Sequence, residues 1–523
     1  MGSYTGQMNT SGSSNTFIGF STGMSNLIGL GNVFIGDSTG LFNYSGSNNV
    51  FIGSKSGYSN SSGNDNIFIG QNSGFYNVAG EKNTFLGFNA GNRNNGSYNI
   101  FLGSEAGFWN QTGQYNCFIG YRSGFISMNA SYNTFIGFES GRGTHAGTAN
   151  VFLGYQTGYS NASGSNNIYI GNEAGYNNDS NNNVYIGTYS GKMSNGGKNT
   201  FIGYKTGYNA TQGDKNVFIG DSTGYNSYSG NQNVFIGSSA GVSNIGSSNV
   251  FIGASTGLQN YEGVSNVFLG QAAGMKNANG SYSNYIGYKA GYENVSGSNN
   301  TFLGSEAGMG NQMGSYNLFI GNKTGYINQA NYNIFLGFES GYSNVFGTTN
   351  VFLGYQAGRS NSSGSSNVFI GNLAGFSNSS GSSNVFLGDS AGYSNTSNYN
   401  VFFGKGTGKK NTSGTSNIFI GYQAGNTNTT GHSNVFLGTK SGYSNSTGKQ
   451  NTFLGYEAGY TNVADTNVFI GYRAGRSNGS GSSNIFIGSD AGSSNNAGIA
   501  NVFIGTKSGL SNTSGNINTF IGW

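Results

Sequence analysis

His145 and His432 are the only imidazoles in this 523-residue chain, and Cys117 is its one thiol. A Ser/His/Asp or Cys/His nucleophile needs an imidazole within hydrogen-bond reach of the attacking atom and a third group to orient it. The two histidines stand 287 residues apart (432 − 145), roughly 17 coils of a repeat array, so they cannot meet to build such a site. Carboxylates such as Glu105, Glu139 and Glu173 recur singly, each shortly after a recurring glycine, and read as solvated surface positions. Calcium-binding β-roll repeats need Asp after Gly-Gly-x-Gly, and the eight Asp of this chain follow no pattern. With one cysteine there is no disulfide framework; Cys117 stands where valine is usual and reads as a small buried apolar side chain. These residues predict no catalytic, metal or cofactor site. The expectation is a protein that is not an enzyme and needs no cofactor.

One modification chemistry is well represented. Asn-x-Ser/Thr sequons, the acceptors of N-glycosylation, occur at Asn60, Asn161, Asn361, Asn378, Asn411, Asn428, Asn445 and Asn512. They fall on one recurrent turn that is expected to be exposed, so glycans there would line one edge of the molecule.

What positions all of these groups is a single repeated stretch, typified by Asn249-Val250-Phe251-Ile252-Gly253-Ala254-Ser255-Thr256-Gly257. Counted from the glycine closing Phe-Ile-Gly, 31 copies run from Gly19 to Gly522 at intervals of 17 residues (23 times) or 16 (7 times). Two before this anchor stands Phe in 28 copies and Tyr in three (Tyr169, Tyr185, Tyr285). One before it is Ile or Leu, except Phe403; three before is usually Val, Ile or Thr. Three after is Ala, Ser or Thr, four after is Gly, and seven after is usually Asn. A period of this kind is the signature of a solenoid. Glycine interrupts too often for amphipathic helices. The reading is an all-β, parallel β-solenoid (β-roll or β-helix) of about 31 coils, a single continuous array over 1–523. At about 4.8 Å per coil it makes a rod of roughly 140 Å.

Composition agrees. Charged residues are 7%, Gly 95 and Pro zero. Proline has no N–H to donate between coils, so its absence predicts turns as well as strands in register. Like charges in successive coils would repel. A net charge of +4 is too dilute to indicate nucleic acid, and no run reaches transmembrane length. The corner glycines, among them Gly53, Gly57, Gly253, Gly257, Gly371 and Gly375, are expected at φ > 0 or tight against the core.

Side chains alternate along a strand, so Val250 and Ile252 share one face and Phe251 takes the other. The favoured reading puts Val and Ile inside. Phe51, Phe68, Phe235, Phe251, Phe268, Phe369 and Phe386 then belong to an outward aromatic ladder that other chains would cover. The three Tyr replacements suit a position whose edge reaches water or a polar partner. The opposite reading, Phe inside, leaves the Ile ladder needing cover.

The motif Asn249-Val250-Phe251-Ile252-Gly253 resembles the Asn-Ser-Val-Ala-Ile-Gly head repeats of YadA-like trimeric autotransporter adhesins. Asn-Thr-Phe-Ile-Gly arrays are similar to β-solenoid repeats of long bacterial surface and phage tail-fibre proteins. The resemblance implies a parallel trimer and surface binding. The period here is two or three residues longer, and Phe stands where the adhesin head has Ala. Both ends of the sequence fall inside a repeat, which is expected of a piece of a longer repeat protein or of a head-to-tail filament subunit. The functional expectation is a structural fibre protein, extracellular, cell-surface or virion, with no signal peptide in the sequence given. It self-associates laterally or end to end through aromatic ladders. The alternative is a binding protein, adhesin-like or polysaccharide- or ice-binding, that uses a regular face. Partners are other copies of itself and a surface glycan or host receptor, with neither nucleic acid nor membrane insertion.

Overall fold

The computed structural model describes residues 2–523, which divide into two units, Met1–Tyr261 and Glu262–Trp523. The first carries β1 (Thr16–Ile18) through β15 (Val250–Ile252), and the second β16 (Val267–Leu269) through β31 (Thr519–Ile521). Every strand has three residues, and each occupies the position of Val250-Phe251-Ile252 in its own repeat. Within each unit the chain is a parallel β-solenoid, one coil per repeat. Equivalent residues lie directly above one another: Val33, Phe34 and Ile35 pair with Val50, Phe51 and Ile52, and Val368, Phe369 and Ile370 with Val385, Phe386 and Leu387. Among the described residues no helix is long and apolar enough to cross a membrane.

The strands are short, yet the bonding between coils does not stop at their ends. Val50 N–H donates to Asn66 O (2.8 Å) in the next coil, whereas Gly53 N–H donates back to Ile35 O (2.8 Å). The turn continues the pattern through Lys55 N–H to Asp37 O (2.8 Å), Gly57 N–H to Ser73 O (2.9 Å) and Ser59 N–H to Phe75 O (2.9 Å). A proline in this turn would orphan a buried carbonyl one coil away. That accounts for the missing proline in turns as well as strands.

The interior corrects the favoured reading of the strand. Phe51, Phe68, Phe235, Phe251, Phe268, Phe369 and Phe386 point inward and are 0% exposed, while the flanking Val and Ile point out and stay half-buried or exposed. The aromatic ladder is real but internal, and no other chain can reach it. Size decides the orientation. A coil of 16 or 17 residues encloses room for one large ring, and the rest of the cross-section is filled by Ala, Ser or Thr three after the anchor, two glycines and two asparagines. The rings stack face to face, Phe34 on Phe51 at 4.7 Å and 3°, and Phe352 on Phe369 at 4.8 Å and 4°. The stacking distance equals the strand spacing, so each ring is sealed by the ones above and below.

Both classes of corner glycine have the geometry foreseen. Gly53 sits at φ +127° and Gly371 at φ +137°; Gly57 and Gly375 sit at φ +56° and +59°. A Cβ on Gly57 would lie 2.5 Å from Cδ2 of Phe51, so this glycine is the floor on which the ring rests. Two further left-handed positions per coil carry ordinary residues, as at Lys55 (φ 55°), Leu373 (φ 55°) and Thr349 (φ 58°). Their side chains gave no sign of this, because the conformation is imposed by bonds to the neighbouring coils.

Candidate interaction surface

Each coil turns three sides to its surroundings: the strand, the turn after the anchor, and the glycine-rich turn after the second Asn. The last was expected to display glycan acceptors. It does not. Asn60, Asn161, Asn361, Asn378, Asn411, Asn428 and Asn445 are fully buried, and Asn512, near the C-terminal end, is half-buried. Sequon spacing places them in a turn correctly, but their side chains point inward and bond to one another. Asn60 Nδ2 donates to Asn43 Oδ1 (2.8 Å) and to Gly63 O (3.0 Å); Asn77 Nδ2 donates to Asn60 Oδ1 (2.9 Å). A second asparagine, just before each strand, forms a parallel ladder: Asn66 N–H donates to Asn49 Oδ1 (2.9 Å), and Asn66 Nδ2 to Gly80 O (2.9 Å). The polar groups are buried and paired, so a sugar on the amide nitrogen would have no room and would break the ladder.

The turn after the anchor carries most of the charges. Glu105, Glu139 and Glu173 are not freely solvated. Glu105 accepts from Arg122 Nε at 2.6 Å, one coil on. Glu139 accepts from Gln156 Nε2 at 2.9 Å, and Glu173 pairs with Lys192. In the second unit Glu339 accepts from Gln356 (2.9 Å) and from Arg359 Nε (2.8 Å). The Arg359 hydrogen bond holds the Glu339 carboxyl below the usual carboxylate range, against its partial desolvation. Opposite charges in successive coils replace the like-charge repulsion of a uniform ladder. These are structural pairs at the rim, with side chains a sixth to a third exposed.

The remaining residues do not assemble. His145 is exposed, and His432 makes one contact, Nδ1 to Ser433 Oγ at 3.2 Å. Cys117 lies half-buried on the outer side of its strand, between Ile100 and Thr134, rather than in the core; burial pushes its thiol up. Among the described residues no group of three or more His, Cys, Asp or Glu could hold a metal ion.

The strand side has a continuous apolar character; stacked aromatics also recur in the turn after the anchor, as at Tyr58 with Phe75 and Tyr443 with Tyr460. Two outward lanes run along each unit, Val, Ile or Thr three before the anchor (Cys117, Asn284 and Leu318 apart) and Ile or Leu one before it (Phe403 apart), with no charged side chain in either lane. Ile100, Val151, Leu153, Ile334 and Val385 are each about two-fifths exposed. In places aromatics flank the lanes. Tyr121, Phe138 and Tyr155 stack at 5.3 and 5.2 Å on one flank, and Tyr98, Tyr115 and Tyr132 at 4.8 and 5.0 Å on the other. Phe338 with Tyr355, and Tyr316 with Tyr332, repeat this in the second unit. The recurrence has a signal in the sequence beyond the short period: Phe138-Glu139-Ser140-Gly141 returns as Phe338-Glu339-Ser340-Gly341, and Val151-Phe152-Leu153-Gly154-Tyr155-Gln156 returns 200 residues later at Val351 to Gln356. Comparison with protein-family models and with curated proteins finds no match for this chain.

Proposed function

We propose that this chain is a structural fibre protein, the shaft of an extended extracellular or virion assembly. One observation supports the reading above others. Within each unit successive coils are joined by backbone bonds through strand and turn, by stacked rings and, wherever asparagine holds the ladder position, by buried amide ladders. Such a solenoid resists bending and local opening because each rung is held from both sides. At about 4.8 Å per rung, fifteen rungs extend about 70 Å, so the architecture gives length for few residues. The resemblance to adhesin heads and tail-fibre repeats is consistent with a shaft that displays other parts at a distance. A regular face that binds sugar is less well supported: the outward aromatics stack on one another and offer edges, whereas sugar-binding platforms offer ring faces.

Negative-stain imaging of the purified full chain, together with proteinase K digestion of the native protein, tests the proposal. Uniform elongated particles and survival of the repeat array as a large protected fragment are expected. Compact particles, or rapid cleavage at many turns, would overturn it.

A further inference from the structure

We propose that the two outward aliphatic lanes are the interface between copies of this chain; the inference rests on the structural reading above. Three observations carry it. The first is area. A three-residue strand spans about 10 Å, and rungs repeat at about 4.8 Å, so fifteen rungs present about 700 Å² of lane in one unit. That exceeds the few hundred Å² of contiguous apolar surface usual on a soluble monomer. Mated with an equal surface it buries about 1,400 Å², above the roughly 1,000 Å² of a specific interface.

The second is chemistry. The lanes hold no charge, and tyrosines flank them at Tyr98–Tyr132 and Tyr121–Tyr155, repeated in the second unit. An apolar centre with an aromatic border is the composition of a protein interface core.

The third is periodicity, and it selects the occupant. Ile, Leu and Val side chains form ridges whose spacing is the rung spacing, 4.6 to 5.0 Å between stacked rings along the core. A partner must share that spacing for every ridge to find a groove; a mismatch of a few tenths of an ångström per rung would put ridge on ridge within several coils. A second copy has the same spacing by construction. Ladder against ladder is the packing of a dry steric zipper.

The test uses the full chain in sedimentation velocity and light scattering over about a hundredfold range of concentration. The expected mass is that of two or more chains. Four lane substitutions, Ile119→Lys, Leu153→Lys, Ile320→Lys and Leu353→Lys, are expected to weaken association at least tenfold while leaving circular dichroism and melting unchanged. Ser163→Lys with Ser363→Lys, exposed on the glycine-rich turn, is the control and should leave the mass as in the wild type. A wild-type chain that stays single throughout overturns the proposal, as does association that survives the lane substitutions or is lost equally in the control. Elongated single particles that never associate would sink this interface and leave the shaft reading standing; compact particles that pair would do the reverse.

Discussion

Asn378→Asp changes one atom's worth of chemistry in the middle of an amide ladder, and its cost can be worked from the neighbours. Asn378 is fully buried. Its Nδ2 donates to Asn361 Oδ1 (2.9 Å) and Gly381 O (2.8 Å), and its Oδ1 accepts from Asn395 Nδ2 (3.3 Å). An aspartate puts an oxygen where that nitrogen was, facing two acceptors. Asn361 cannot relieve the clash by rotating its amide, because its own Nδ2 is committed to Asn344 Oδ1 (2.6 Å) and Gly364 O (2.9 Å). A flip would have to run down the ladder. The carboxyl therefore holds its proton in the folded state, and its folded pKa lies above the unfolded value of about 3.9.

Below pH 4 the group is protonated whether the chain is folded or not, and the variant lacks one donor, a loss of about 1 kcal/mol. As pH rises the unfolded state ionises and the folded state does not. Stability then falls by about 1.4 kcal/mol per pH unit until the folded pKa is passed. With a shift of three units or more, typical of a fully buried acid, the penalty at pH 7 is about 5 kcal/mol. Denaturant titration of wild type and variant at pH 4 and pH 7, read as the difference between them at each pH, isolates this group from every shared titration. Hydrogen exchange over 361–411 locates the loss. A penalty equal at the two pH values, or below about 1 kcal/mol at pH 7, would refute the ladder as described.

Other consequences follow from the same geometry. The ladder is unbroken in the second unit but interrupted in the first, where Ser227 presents a buried hydroxyl with no hydrogen-bond partner; Ser227→Asn is expected to raise stability by about 1 kcal/mol, measured by denaturant midpoint, and a loss of stability would count against it. Gly375→Ala places a Cβ 2.5 Å from Phe369 Cδ2 at φ +59°; a cost of at least 2 kcal/mol is expected from the backbone alone plus the clash, and in the background of Phe369→Leu the added cost should shrink, as a double-mutant cycle would show. Burial pushes the phenols of Tyr169, Tyr185 and Tyr285 well above their usual range. They stay protonated when folded, so above about pH 10 the ionising unfolded state gains and stability drops by about 1.4 kcal/mol per pH unit for each. Replacing all three with Phe should flatten the alkaline limb of the stability curve, and an unchanged limb would refute their role.

How far the sequence could be read follows from what its patterns report. Period, strand position, parallel register, the corner glycines and the exclusion of proline were legible, because each is a constraint that every copy must meet alone. The direction of Phe51 and its equivalents was not. In Val-Phe-Ile all three residues are apolar, so alternation has no contrast to show, and only the size of the coil interior decides. Substitution at those positions fits either direction, since a Tyr edge can reach water outside or a polar partner inside. Tyr169 and Tyr185 find the second, within the coil, at Asn178 Oδ1 (2.8 Å) and Ser194 Oγ (2.9 Å). Asn60 and its equivalents were read through the residues that follow them, as sequons, although their recurrence seven after the anchor was the stronger signal. An asparagine that recurs at one position in stacked coils faces its own copy, and amides pair with amides.

The alternation of 16- and 17-residue coils shows which of these devices the fold protects. In a coil of 17, six residues separate the two ladder asparagines, as from Asn60 to Asn66, and the first caps a glycine three residues on (Asn60 Nδ2 to Gly63 O). In the shorter coils five separate them, as from Asn94 to Asn99 and Asn328 to Asn333, and the carbonyl capped is two residues on (Asn94 Nδ2 to Gly96 O, 2.8 Å; Asn328 Nδ2 to Ala330 O, 2.7 Å). The missing residue comes from the turn between the ladders each time. The ring and its glycine floor keep their places, and where both asparagines are present the shortened turn gains a bond between the ladders, Asn99 Nδ2 to Asn94 Oδ1 at 3.3 Å and Asn333 Nδ2 to Asn328 Oδ1 at 3.2 Å. One ring per coil is too little apolar surface to fix register by itself. Where both asparagines are present, two amide ladders of fixed polarity forbid a one-residue slip, since a slip would leave their buried donors and acceptors unpaired. Register is therefore held by polar pairing at the two edges of the core, and that leaves the outward side of the strand free to be apolar.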